Sequence, residues 1–295
     1  MTTAALLLAS TIVTQLEDFP VLQKLVREAG LEPALATPGS FALLAPPEKD
    51  LAGLELSKAE LMGLLGNHII DRKHEVTLHG ETISWDEVKK ARSKGKVRIC
   101  SNGLILPVSR AFVPAKLTKG TRVQAGKSFR MRVDAPLPDG WPRPGPIEEP
   151  RLKFYPVYRL AIDEKGNFGT LFRHIQRKKI EMTAPVEMSM DENLKTRSMS
   201  FLYRFPEQGE AGADGRVAIR NVEPRFAISV GMRGTRSDKK MEKALAKIRA
   251  DLKGRRGWRE VEGSLQLLGF NDPFIFPWNQ YWEVVLEIEP VTSEV

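Results

Sequence analysis

The stretch FGTLFRHIQRKKIEMTAPVEM, residues 168–188, decides how the second half of the chain is read. Phe168, Leu171, Phe172 and Ile175 recur at i, i+3, i+4 and i+7, the spacing of an apolar stripe on one helix face, while Arg173, Arg177 and Lys178 project elsewhere. A stripe of this kind is ordinarily buried. Replacing Phe172 by Ala is therefore expected to cost about 3–5 kcal/mol. In the following segment Ala184 and Pro185 suit the end of an edge strand, where a missing N–H is tolerated and a small side chain permits close packing.

Outward from this stretch the pattern changes to period two. Tyr158, Leu160 and Ile162 fall on one strand face before the helix, and Val284, Leu286 and Ile288 do so near the end of the chain. Two copies of the order β, α, β, β follow, about 70 residues apart. The first has a strand at 155–162, a helix at 168–177, the segment EMTAPVEM and a strand at 198–205. The second has a strand at 226–232, a helix at 238–252, the segment GFNDPFIF and a strand at 281–288. The predicted α+β product is two antiparallel sheets curled into a distorted β-barrel, with two helices packed outside. The aromatic group Phe270, Phe274, Phe276, Trp278, Tyr281 and Trp282 suits either a ligand wall or a cover over the barrel's open end.

The composition shifts sharply at residues 135–150, APLPDGWPRPGPIEEP, where six prolines and two glycines deny helix and inner-strand hydrogen bonds. An exposed linker is predicted here, between independently folding halves at 10–134 and 151–290. Upstream, helical spacing runs from Ile12 through Leu16, Phe19, Leu22 and Leu25 to Val26 and stops at Gly30. A second helix is expected through Leu61, Leu64, Leu65 and Ile69, and a buried strand within Ser40–Pro47.

Two resemblances rest on these motifs. GSFALLAPPEKDL, LLGNHII and SNGLILPVSRAFVP, in that order, resemble the landmarks of a fasciclin domain, through Phe41, Leu44, Ala45, Pro46, His68, Asn102, Gly103 and Ile105. Asn67 and Leu106 depart from that family's pattern, which usually has Tyr and His there. In the second half, Leu171, Phe172 and Ile175, then Ile180 and Met182 to Val186, resemble the helix and the MTAPV element of the SOUL haem-binding proteins. Asn271, Pro273, Pro277, Asn279, Trp282, Glu283 and Val284 match a later motif in part. This second resemblance implies a tetrapyrrole ligand such as haem, for storage, transport or sensing, with the fasciclin-like half as an interaction or tethering module.

The candidate contact residues are then Leu171, Phe172, His174, Ile175, Arg177, Lys178 and Met182. His174, at the edge of the stripe, is a candidate axial ligand to the iron, Arg177 and Lys178 would pair with propionates, and Met182 offers deformable apolar surface. The plainer reading is that a lone histidine at a stripe edge is half-exposed, without a ligand, beside ordinary core; the resemblance adds that this helix position is commonly aromatic in the family. The alternative function is a protein-interaction or small-molecule effector module that binds no haem. A weak enzyme using His174 or Glu181 is a third reading.

The remaining features exclude more than they suggest. Neither a nucleophile elbow, a Walker loop, a Gly-rich dinucleotide fingerprint nor a zinc-protease motif occurs, so the chain is read as a non-enzyme. His68, His74 and His79 have no ligand spacing, and Cys100 is the only cysteine of 295 residues, so no internal disulfide can form. The formal charge is +8, and the basic helix after Asp238 has an inward face at Met241, Leu245, Ile248 and Leu252, as a solvated exterior helix would; nucleic acid is not the expected partner. The apolar run Ala4–Ala9 is short for a secretory core, and the expected compartment is the cytoplasm.

Overall fold

In the computed structural model, residues 10–291 are described apart from 39, 40, 53 and 273, so the Ala4–Ala9 run, Ser40 and Pro273 lie outside the described residues. The first helical pattern is interrupted at Pro20: a 3-10 turn (Thr14–Asp18) precedes α1 (Pro20–Glu28), and Gly30 with φ 69° turns the chain into α2 (Glu32–Ala36). After β1 (Phe41–Ala45) come α3 (Glu48–Ala52) and α4 (Lys58–Asn67), the latter opened by a capping box of Ser57 and Glu60. Helix α4 stops two residues short of Ile69, which instead begins β2 (Ile69–Asp71). Then β3 (Val76–Thr77), α5 (Trp85–Lys90), β4 (Arg98–Cys100) and β5 (Gly103–Pro107) complete a five-stranded sheet in the order β3-β2-β1-β5-β4. Strands β1 and β5 are parallel, and a Cβ on Gly103 would lie 2.2 Å from the Phe41 carbonyl oxygen. Asn102, buried beside it, accepts from Ile12 N at 2.9 Å and donates to Thr37 O at 3.0 Å, which explains the Asn-Gly pair.

A hairpin of β6 (Arg122–Gly126) and β7 (Phe129–Arg132) leads into the second half. There β8 (Pro150–Tyr155), β9 (Tyr158–Asp163), α6 (Phe168–Lys178), β10 (Val186–Met190), β11 (Thr196–Leu202), β12 (Gly212–Asp214) and β13 (Val217–Val222) are followed by β14 (Arg225–Arg233), α7 (Asp238–Lys253), β15 (Trp258–Glu260), β16 (Gln266–Gly269) and β17 (Tyr281–Pro290). The strands form one ten-stranded sheet, β12-β13-β9-β11-β10-β16-β17-β14-β8, with β15 beside β17. The expected β-barrel does not close, because the path ends on β12 and β8. The two repeats instead join edge to edge, β10 against β16, with Met188 opposite Leu267. Strand β10 is thus interior, not the edge strand expected after Ala184 and Pro185. Alternation fixes which face a side chain occupies; it does not name the neighbouring strand.

One face of this sheet carries α7, whose Met241, Ala244 and Ile248 pack with Phe226, Ile228, Val284 and Leu286 in a cluster that continues into Leu22, Leu64 and Leu65 of the first half. The opposite face, with Tyr155, Tyr158, Leu268 and Val285, is covered by Ala125, Phe129 and Met131 of the hairpin and by Leu137 and Trp141. The 135–150 segment is therefore no exposed linker. Within it only Glu149 is exposed, and Trp141 sets its edge against Tyr155 and Tyr158 at centroid distances of 4.9 and 5.0 Å. Proline removes a ladder donor but not apolar surface, so a stretch barred from the sheet can still lie on it. Further ties join the halves: Phe154 N donates to Leu78 O at 3.0 Å, Arg255 pairs with Asp71 at 2.7 Å, and Asp251 meets Lys73 and His74 at 2.6 and 2.9 Å.

Two predictions test this shared core. Gly140 has φ 70°, and an added Cβ would sit 1.9 Å from Ala59 O in α4. Gly140→Ala is expected to lower unfolding free energy by at least about 1–3 kcal/mol in a single transition that reports on both halves; two separate transitions, only one of them moved, would contradict the shared core. The second concerns acid. Burial pulls His68 down to about 4, and burial followed by the charges of Arg143 and Lys153 pulls His79 down to about 3. The folded state keeps both imidazoles neutral while the unfolded chain protonates them near pH 6.5, so their contribution is complete above that pH and is lost as pH falls toward the folded values. Between pH ~6.5 and ~5 each should contribute up to about 2 kcal/mol of destabilisation. Urea midpoints measured across this range should fall, and His79→Gln should flatten the fall; a level profile would show that the imidazoles are not buried.

Candidate functional site

Helix α6 is fixed at both ends and along one face. Asn167 Oδ1 accepts from Thr170 N at 3.0 Å, and Lys179 closes the last turn in the left-handed conformation, φ 54°. Leu171 and Ile175 are buried against Ala161, Phe201, Tyr203, Val217 and Ile219. Between them His174 is also buried, with Nδ1 2.6 Å from Asp214 Oδ2 and Nε2 2.7 Å from Tyr203 Oη. Hydrogen bonds from Arg177 and then His174 hold the Asp214 carboxyl below the usual carboxylate range, while burial pushes the Tyr203 hydroxyl up to about 12. Asp214 accepts from Nδ1, and the Tyr203 hydroxyl, able to donate or accept, occupies Nε2. Neither ring nitrogen is free for a metal in this arrangement.

The other flank of α6 is different. Phe168 and Phe172 are 39% and 40% exposed and stack on one another, with centroids 6.0 Å apart and planes at 17°. They wall a cavity of about 370 Å³ whose further lining is Glu181 to Ala184 and Val186, then Gly269 at the end of β16 with Phe270 to Asp272, Lys119 and Asp134 from the first half, and Ala135 and Pro136 from the proline-rich segment. Cross-bonds set its shape: Ala184 N donates to Pro136 O at 2.9 Å, Thr183 Oγ1 to Leu202 O at 2.6 Å, and Asn271 Nδ2 to Asp134 Oδ2 at 3.0 Å. The Ala184–Pro185 peptide is cis. The charged lining residues are one cation, Lys119, and three carboxylates, Asp134, Glu181 and Asp272.

Of the residues singled out from sequence, Phe172 and Met182 line this cavity. Leu171 and Ile175 face the sheet beneath, His174 is held between Asp214 and Tyr203, Arg177 is ion-paired with Asp214, and Lys178 is exposed. The aromatic group divides: Phe270 lines the cavity, Tyr281 and Trp282 are buried, and Phe274, Phe276 and Trp278 stand exposed. Ala135, Pro136, Asp134 and Lys119 were not foreseen as walls, since nothing local in their sequence points across to Ala184.

Residues 157–287 match the family model described as SOUL heme-binding protein, a match that covers less than half of the chain. No curated protein matches. Among solved structures, a hydrolase from Listeria innocua is 13% identical over 49% of this chain and 94% of its own, with TM-score 0.37. The C-terminal domain of EcmrR is 12% identical over 48% and 98%, with TM-score 0.36. Likenesses of this strength carry no argument about function.

The geometry revises the expectation for Phe172. With two-fifths of the residue exposed, Phe172→Ala should cost less than about 2 kcal/mol, well below the range for a fully buried aromatic. Urea denaturation decides it, and a loss of about 3 kcal/mol or more would mean that the ring is covered in solution.

Proposed function

We propose that the chain binds a tetrapyrrole such as haem in the cavity beside α6, for storage, transport or sensing, as a binding protein and not an enzyme. The observation that carries this reading is the pair of stacked, half-exposed rings, Phe168 and Phe172, over a cavity walled by Met182, Ala184 and Phe270. A flat macrocycle laid on that wall removes apolar surface from water at about 25 cal/mol per Å². The family match over residues 157–287 supports the same ligand class. The ring's apolar face fits; an axial bond from His174 would first have to break its links to Asp214 and Tyr203. Catalysis finds little to work with, since the cavity's one hydroxyl, Thr183, is spent on Leu202 O and its carboxylates face no histidine in the lining. For the first half the proposed role is a fasciclin-like interaction or tethering module, supported by the order of its motifs and by Asn102 and Gly103 at the β1–β5 junction.

One observation favours the alternative of a small-molecule effector module. Three carboxylates and a single lysine line the cavity, a charge balance that suits an apolar cation better than propionates. Titration separates the readings. Haem should give a shifted Soret band saturating near one equivalent, His174→Ala should leave affinity within about threefold, and Phe172→Glu should weaken it about tenfold or more by placing a charge on the apolar wall. An unchanged spectrum with haem, together with saturable binding of a lipophilic dye cation, would establish the alternative. If His174→Ala abolished binding while Phe172→Glu left it intact, the ligation-led mode would replace the one proposed.

A further inference from the structure

Between Val88 and Val133 the sequence carries thirteen lysines and arginines and no aspartate or glutamate, a segregation that the whole-chain charge conceals. The end of this run is the β6–β7 hairpin. Its inward residues, Ala125, Phe129 and Met131, are buried on the large sheet, and Arg122, Arg130 and Arg132 are exposed on the outward side, with Lys127 exposed at the turn. Arg122 stands directly opposite Arg132 in the register, and Gln124 opposite Arg130. Like charges across an antiparallel pair repel, so this pairing is retained at a cost to the isolated fold. Arg132 has only a 3.7 Å ion pair, with Asp134, whose carboxylate also accepts from Asn271 and Asp272 N.

Against this hairpin lies the loop between β16 and β17. Asn271 Nδ2 donates to Arg132 O at 3.2 Å; the Arg233 guanidinium sits 4.5 Å over the Phe129 ring, and its Nε donates to Trp278 O at 2.6 Å. The loop tip exposes Phe274 (93%), Phe276 (64%) and Trp278 (60%), and residues 273–280 carry no charge. Three large apolar side chains on one loop, bordered by an arginine-rich hairpin, make a composite surface.

We propose that this surface docks onto an anionic lipid bilayer, with the Phe274–Trp278 loop inserted at the headgroup level and Arg122, Lys127, Arg130 and Arg132 against lipid phosphates. Charge complementarity sets the sign of the partner, and the protruding aromatic tip sets its nature. Tryptophan and phenylalanine are favoured at the water–hydrocarbon boundary, and interfacial binding adds buried apolar area to attraction by anionic headgroups. Single-stranded nucleic acid is the competing polyanion. It is recognised by open aromatic faces interleaved with cations, whereas Phe276 and Trp278 have closed on each other, with centroids 4.9 Å apart and planes at 5°.

The test is co-sedimentation of the full chain, without tetrapyrrole, with vesicles of phosphatidylcholine alone and vesicles containing about one-third phosphatidylglycerol. Binding is expected to the anionic vesicles only and to weaken with salt. Arg122→Gln and Arg130→Gln should each lower the partition coefficient about fivefold, and Phe274→Asp should lower it about tenfold or more. All three positions are exposed, so thermal midpoints should stay near that of the parent chain. Equal or absent sedimentation with the two vesicle types would overturn the proposal by itself, even if a variant failed to fold. So would retention of full binding by Phe274→Asp, which would leave only diffuse attraction. Tighter binding of a single-stranded oligonucleotide, lost in Trp278→Ala, would reassign the surface to nucleic acid.

Discussion

The second half is organised around an ammonium and a carboxylate with no access to water. Lys153 Nζ on β8 lies 2.9 and 2.8 Å from the two carboxylate oxygens of Glu283 on β17, and both side chains are buried. Burial pulls the Lys153 ammonium down from its ordinary value, and Glu283 opposes that pull. A buried pair of this kind is not a simple source of stability, because desolvation can exceed the mutual attraction. It demands instead that every remaining lone pair be met. Here Tyr281 Oη donates to Glu283 Oε1 at 2.7 Å, and the Gly145 N–H donates to the same oxygen. That last donor comes from the proline-rich segment, so the charge pair on the sheet fixes the chain that crosses above it.

From that anchor the segment runs back through Trp141 and Leu137 to Pro136, whose carbonyl accepts from Ala184 N. The cavity beside α6 is therefore assembled from three separate parts of the chain: the helix and its MTAPV sequel, the end of β16 with the turn after it, and the proline-rich strap of residues 135–150 with Lys119 and Asp134, which flank the β6–β7 hairpin. A cavity built this way depends on contacts more than 40 residues apart in sequence, such as Ala184 N to Pro136 O and Asn271 Nδ2 to Asp134 Oδ2. The matched family region begins at residue 157, after the strap, so a fragment limited to that region lacks one wall of the cavity.

What could be read from sequence follows the same division between local and distant. The helices at 168–177 and 238–252 and the strands β9, β11, β14 and β17 were legible because periodicity is a property of neighbouring residues, whereas GFNDPFIF of the second repeat falls almost wholly in the loop between β16 and β17. The orientation of α6 was legible only in part. An i, i+3, i+4, i+7 stripe spans a wide arc, and the sheet buries its Leu171 and Ile175 side and takes the edge of Phe168 against Phe201, leaving Phe168 and Phe172 half-exposed at the flank. His174 reads as a border residue until Tyr203 and Asp214, 29 and 40 residues away, are placed on either side of it. The open sheet was illegible for a similar reason, since strand neighbours are chosen by long-range register. The strap was misread because its prolines report which hydrogen bonds are absent and say nothing of which apolar surfaces are present.

His174 acquires its meaning from that orientation. A rotation of α6 that turned Phe168 and Phe172 inward would bury two half-exposed rings, a change the hydrophobic effect alone favours by about 25 cal/mol for each Å² covered. Opposing it, His174 joins the helix to β11's neighbour Tyr203 and to Asp214 at the end of β12, and Arg177 adds a second link from the helix to that carboxylate. The imidazole is buried, so rotating it out of register leaves both ring nitrogens and the Tyr203 hydroxyl without these partners, at about 1–3 kcal/mol for each group stranded. Those polar bonds, together with the edge contact of Phe168 on Phe201, oppose such a rotation. His174 thus adds its two polar bonds to the burial of Leu171 and Ile175 in fixing the rotation of α6.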